Sequence, residues 1–179
     1  STSKPVSVIW AAFDKTTSLQ DKGDLSRNAP KTTPPAYGVW DADARSLGRI
    51  YGSGSVIFKL KHADKNVAVG LSSNDQTAHI SDLDYGIDIN EKGTVYLHSR
   101  NTLIPNTLAG VKYGVSGTRE YFRISFNENE VSFFMGDLLL GTAPRTASIP
   151  GPFYVDCSII DLGSGIEECW VYSDSDKDG

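Results

Sequence analysis

The sequence predicts an all-β protein, an antiparallel two-sheet sandwich, and three observations carry that prediction. Residues 119–142 alternate apolar and polar side chains with a period of two over three consecutive runs. The 17 glycines and 8 prolines of the 179-residue chain fall in short clusters between apolar runs, as turns do between strands. No window shows a sustained helical period flanked by caps, so little helix is expected.

Residues 119–142 read as three antiparallel strands joined by tight turns. With residues 127–130 as the first turn and Gly136-Asp137 as the second, Phe122, Ile124 and Phe126 share a face with Val131, Phe133, Met135, Leu138 and Leu140. That face is a core. The opposite face carries Tyr121, Arg123, Ser125, Ser132, Phe134 and Leu139, the mixture expected of a partly covered sheet. Before this meander, residues 6–13 form a first strand carrying Trp10. Residues 14–35, rich in Ser, Thr, Lys, Asp and Pro, read as a long surface loop. Strands follow at 37–40, 48–51, 55–62 and 66–72. A hairpin spans 83–99, turning where Gly93 can take a positive φ.

Composition fits one domain over residues 1–173. A chain of this length, 39% hydrophobic and 22% charged, buries about 70% of its unfolded surface. The net charge is −5 with Lys and Arg scattered, which argues against nucleic acid and anionic membranes as partners. No apolar run approaches the ~20 residues of a membrane span. Ser1 opens the chain without a signal peptide, which reads as a processed or excised piece.

A last hairpin is expected over 153–172. Centring its turn on Gly163 sets Cys157 directly opposite Cys169, at the separation of about 4.5–5.5 Å that a disulfide tolerates. An oxidised pair would be worth about 3 kcal/mol in the chain-entropy model; the alternative is two buried free thiols beside Phe153, Val155, Ile159 and Val171. The other face then pairs Tyr154 with Tyr172, Asp156 with Trp170 and Ser158 with Glu168. Aromatic rings beside carboxylates and hydroxyls suit a sugar, offering a flat surface to its C–H face and acceptors to its hydroxyls. A plain cross-strand ladder packed near Trp10 is the competing reading.

Two acidic groups raise the question of Ca²⁺. Asp174, Asp176 and Asp178, ahead of Gly179, match the opening D-x-D-x-D-G of a calcium loop. That motif resembles the start of thrombospondin type 3-like repeats, and implies a linker over 174–179 leading to other domains of a longer chain. An acidic solvated tail is the alternative. Asp75, Asp82, Asp84 and Asp88, helped by Asn74, could hold a structural Ca²⁺ at a sandwich edge, or simply face solvent. Neither group alone supplies six to eight oxygens, so at most a weak site is expected.

Catalysis finds little support. His62, His79 and His98 show no metal-ligand spacing, and no phosphate loop, G-x-S-x-G elbow or H-E-x-x-H occurs. The Glu-x-Asp-x-x-Glu strand of glucanases is absent, and Glu128 and Glu130 sit in a turn. Arg123 and Tyr121 with His98 suggest a polysaccharide lyase, but without that chemistry's flanking motifs.

The runs Val69-Gly70-Leu71-Ser72-Ser73, Asp84-Tyr85-Gly86-Ile87, Gly93-Thr94-Val95-Tyr96, Phe122-Arg123-Ile124, Val131-Ser132-Phe133-Phe134 and Tyr154-Val155-Asp156-Cys157-Ser158, with Trp40 to Ser46 and Ile50 upstream, resemble a concanavalin A-like lectin/SPRY-type jelly roll. Similar modules recur in bacterial surface and secreted proteins. The sequence departs from their pattern at Met135-Gly136, where Phe-x-Asn-Gly is usual, and at His98-Ser99-Arg100, where Glu-Asn-Gly is usual. The resemblance implies display of a ligand rather than turnover. The expected function is therefore an extracellular or cell-surface, adhesin-like module that binds a glycan or receptor without catalysis. A protein-binding or spacer module is the alternative. The expected ligand group is Trp170, Tyr154, Tyr172 and Asp156, with Arg100 and Asn101 on a nearby loop.

Overall fold

The structure is a computed structural model that describes residues 4–12, 17–19, 23–27, 40–115 and 119–174. Within these lie strands β1 (Val6–Ser7), β2 (Trp10–Ala12), β3 (Thr17–Leu19), β4 (Leu25–Arg27), β5 (Ala42–Ser46), β6 (Gly54–Leu60), β7 (Val67–Ser72) and β8 (Tyr85–Ile89). They continue with β9 (Val95–Ser99), β10 (Thr102–Ile104), β11 (Phe122–Phe126), β12 (Glu130–Met135), β13 (Leu138–Pro144), β14 (Tyr154–Ile159) and β15 (Gly165–Ser173). A 3-10 turn, Ile80–Asp82, lies between β7 and β8. Two antiparallel sheets result: an eight-stranded one ordered β13-β12-β11-β6-β15-β4-β3 with β1 also on β15, and a seven-stranded one ordered β10-β9-β8-β7-β14-β5-β2.

Strict alternation builds the core between them. Val56, Phe58 and Leu60 of β6 with Phe122 and Ile124 of β11 point inward from one sheet, and Val67, Val69 and Leu71 of β7 from the other. Phe122 stacks on Phe58 with ring centroids 5.4 Å apart and lies 4.8 Å from Tyr113. Each such buried side chain contributes about 1.5–3 kcal/mol. Burial pushes the Tyr113 hydroxyl up to about 12.

The 122–140 meander matches its expected register, Phe122 facing Met135 and Phe126 facing Val131. Leu138 departs from the expected core face: the β12–β13 register shifts between Phe133 and Phe134, leaving Leu138 44% exposed while Leu140 is buried. The 83–99 hairpin also matches, with Gly93 at φ 75°. One expected loop contains strands, and one expected strand does not form. Within 14–35 lie β3 and β4, where Leu25 is fully buried and the buried Arg27 pairs with Asp41. Residues 48–51 reduce to one bridge, Ile50 to Phe153. The strand expected at 37–40 falls largely on residues 37–39, outside the described residues.

The last hairpin is not one. β14 lies between β7 and β5 in the seven-stranded sheet, whereas β15 crosses to the other sheet and pairs with β6. Cys157 and Cys169 are therefore on opposite sheets, both free and both fully buried in the core. Burial raises both thiols well above their ordinary range. Tyr154 does not face Tyr172, nor Asp156 Trp170. Gly163 does take a positive φ, 76°, but it turns the chain from sheet to sheet instead of back along itself.

Candidate functional site

The register of the seven-stranded sheet assembles its outer face in rows. One row runs Arg45, Asp156, Gly70, Gly86, His98 and Leu103. The next runs Asp43, Ser158, Ala68, Asp88 and Tyr96. Small residues occupy the middle, and there residues 73–84 lie down on the sheet, with Ile80, Leu83 and Ala68 forming a second small apolar cluster against Trp40. The covering segment divides the face into two chemically different halves.

On the Tyr96 side a cavity of about 310 Å³ opens between Trp40, Ile80, Tyr96 and Leu103. Its polar groups are Asp88, His98 and Asn101. His98 Nε2 lies 3.1 Å from Asp88 Oδ1, but off-axis, so neither ring nitrogen completes a hydrogen bond. Gly86 makes room for this imidazole, since a Cβ there would come within 2.8 Å of it. Asn101 is aimed by a two-residue turn in which Arg100 and Asn101 both have positive φ, 48° and 66°. The turn is tied down: the Arg100 N–H donates to the Leu83 carbonyl, and its Nε donates to Asp84 Oδ1 at 2.9 Å. Arg100 therefore holds the turn that presents Asn101.

On the other side lies a closed acidic patch. Asp156 is 1% exposed and neither carboxylate oxygen has a hydrogen-bond partner. Burial raises it well above the usual carboxylate range, and the charges of Asp75, Asp43 and Asp82 raise it further. Burial and Asp82 likewise push Asp75 up to about 6, against the lowering influence of Arg45, whose Nε is 4.0 Å away. Tyr154 lies under two guanidiniums, Arg45 at 4.0 Å and Arg49 at 4.3 Å from its ring centroid.

The six expected ligand residues thus separate into three places. Trp170 and Tyr172 lie half-buried on the outer face of the eight-stranded sheet, where Trp170 stacks on Tyr121 at 5.8 Å. Tyr154 and Asp156 belong to the acidic side of the opposite sheet, and Arg100 and Asn101 to the turn at the cavity. The expected calcium residues do not converge either. Asp84 is engaged by Arg100 and Ser73, Asp82 accepts from Thr77 and Gln76, and Asp88 faces His98. Among the described residues no group of three His, Cys, Asp or Glu side chains is placed to hold a metal ion. Asp174 is exposed, its N–H donating to the Ser53 carbonyl; Asp176 and Asp178 lie outside the described residues. Arg123 and Tyr121 sit on the eight-stranded sheet and His98 on the other, so the lyase group does not assemble. Sequence reasoning missed Trp40 and Tyr96 as cavity walls. The signal was there: the hairpin turning at Gly93 puts Asp88, Tyr96 and His98 on one face.

No family model matches the chain, and neither does any curated protein. Solved structures do. The TRIM65 PSpry domain matches with a TM-score of 0.64 at 11% identity, over 90% of each chain. The exoplasmic/lumenal domain of VIP36, in a Ca²⁺/Man3GlcNAc-bound form, matches with 0.59 at 8% identity, over 92% of this chain and 82% of that one. Bacillus licheniformis β-glucanase matches with 0.57 at 13% identity, over 93% and 92%. The chain is a concanavalin A-like jelly roll. The fold serves binding modules and enzymes alike, so the site must carry the function.

Proposed function

We propose that this jelly roll is a non-catalytic carbohydrate-binding module and that its site is the cavity between Trp40 and Tyr96. One observation carries the reading: two aromatic walls enclose a cavity whose polar groups are a carboxylate, an imidazole with unsatisfied nitrogens and an amide. A pyranose lays its C–H face on a ring while Asp88 accepts from its hydroxyls and Asn101 both donates and accepts. VIP36, similar in fold, carries a mannose-containing glycan in its solved form, which supports the ligand class. The partner is then a glycan, and a cell-surface or extracellular setting is where such a ligand is displayed.

A glycan array with the wild-type protein and Tyr96→Ala tests this. Tyr96 is 36% exposed, so its truncation leaves the fold intact. Specific, saturable hits should weaken by about tenfold in the variant, the cost of losing a ring that a ligand covers. No hits at high protein concentration would favour the protein-binding or spacer reading, and turnover of a bound glycan would contradict the non-catalytic one.

A further inference from the structure

We propose that the outer face of the eight-stranded sheet carries a second binding site, for a saccharide bearing a uronate carboxylate. The registers place Ser132, Ser125, Ser55 and Tyr172 in one row across four strands. The adjacent row is Phe134, Arg123, Ile57 and Trp170. Short serines between large side chains leave a trough of about 820 Å³, within the size range of small-molecule sites.

Arg123 is the key group. Its guanidinium carbon lies over the Phe134 ring, 4.1 Å from the centroid, and no carboxylate among the described residues pairs with it. A half-buried, pre-oriented guanidinium without a counter-ion fits a planar carboxylate bidentately. The serine hydroxyls beside it both donate and accept, and the Tyr172 ring offers a surface for C–H groups. Glu130 and Asp174 at the rim repel a densely charged polyanion, so one carboxylate on an otherwise neutral polyhydroxylated unit fits best. A peptide carboxylate fits less well. β11 and β6 are each paired on both sides, so their backbones offer no edge to an extended chain. The trough shares no residue with the cavity at Trp40 and does not depend on that reading.

Calorimetry with a xylotriose bearing a single glucuronate, and with the methyl ester of that glucuronate, tests the site. The wild-type protein should bind the acid about tenfold or more tighter than the ester, the scale of a hydrogen-bonded charge pair, and added NaCl should narrow the gap. Arg123→Gln should abolish the preference, and Ser125→Tyr, which fills the trough, should abolish binding of both; melting curves verify that each variant is folded. Tyr96→Ala should leave the preference for the acid over the ester unchanged. Equal affinity for acid and ester, no binding of the acid, a preference surviving Arg123→Gln, or its loss in Tyr96→Ala would each overturn the proposal.

Discussion

Asp156 shows how residue type and packing combine into a measurable property. The sequence offers it as a sugar acceptor because it stands beside Tyr154 in an alternating strand, and its type and parity were both legible. Its burial was not, since that depends on residues 73–84 folding back over the sheet, a contact made between segments far apart in the chain. A carboxyl whose pKa is higher in the folded chain than in the unfolded one stabilises the fold only while protonated. That contribution is complete below about pH 3.9, the unfolded value, and is lost as pH rises through the folded value. Asp75, raised to about 6, titrates in that window, and Asp156, also raised, adds to the same loss. We therefore expect Asp156→Asn, which removes the charge and keeps the shape, to melt above the wild type at pH 7 by about 2–4 °C or more. The difference should shrink toward pH 4. A variant that melts below the wild type at pH 7, or a difference independent of pH, would contradict this.

The elements were read best where they pair with sequence neighbours. The 122–140 meander and the 85–99 hairpin need only a tight turn and a period of two, and both are local signals. The chain from Tyr154 to Ser173 carries the same local signals, alternation and a glycine at the turn, yet it crosses between sheets. Alternation alone does not say whether a turn closes a hairpin or an arch, because both bury the same parity. What decides it is competition for partners: β14 finds β7 and β5 on its two sides, leaving β15 to β6. The close packing of β7 and β8 is a consequence that can be tested. A Cβ on Gly70 would lie 2.0 Å from the Tyr85 carbonyl oxygen and 2.8 Å from Gly86 Cα, so backbone must move to admit it. Gly70→Ala should destabilise the protein by about 1–3 kcal/mol, seen in chemical denaturation as a lower midpoint with an unchanged slope. A neutral effect would mean that the two strands are spaced more loosely than described.

At the scale of the whole molecule, two outer faces with different chemistry stand back to back, and the three tryptophans mark the regions. Trp10 is buried and its Nε1–H donates to the Gly23 carbonyl at 2.8 Å. Trp40 walls the cavity on the seven-stranded sheet, and Trp170 stacks on Tyr121 on the eight-stranded one. The sequence pointed to aromatic-plus-carboxylate chemistry and to Asn101, offered Asp88 only as a calcium ligand, and set the aromatic centre at Trp170 because the last two strands read as a hairpin. Once those strands part, the ligand group divides between the two faces. The most direct measurement is a ¹H–¹⁵N titration with a neutral glycan chosen from the array, following the three indole N–H signals assigned through single Trp→Phe variants. The Trp40 signal should shift saturably while those of Trp10 and Trp170 stay in place. A shift of Trp170 with Trp40 unmoved would contradict the assignment of the carbohydrate site to the cavity.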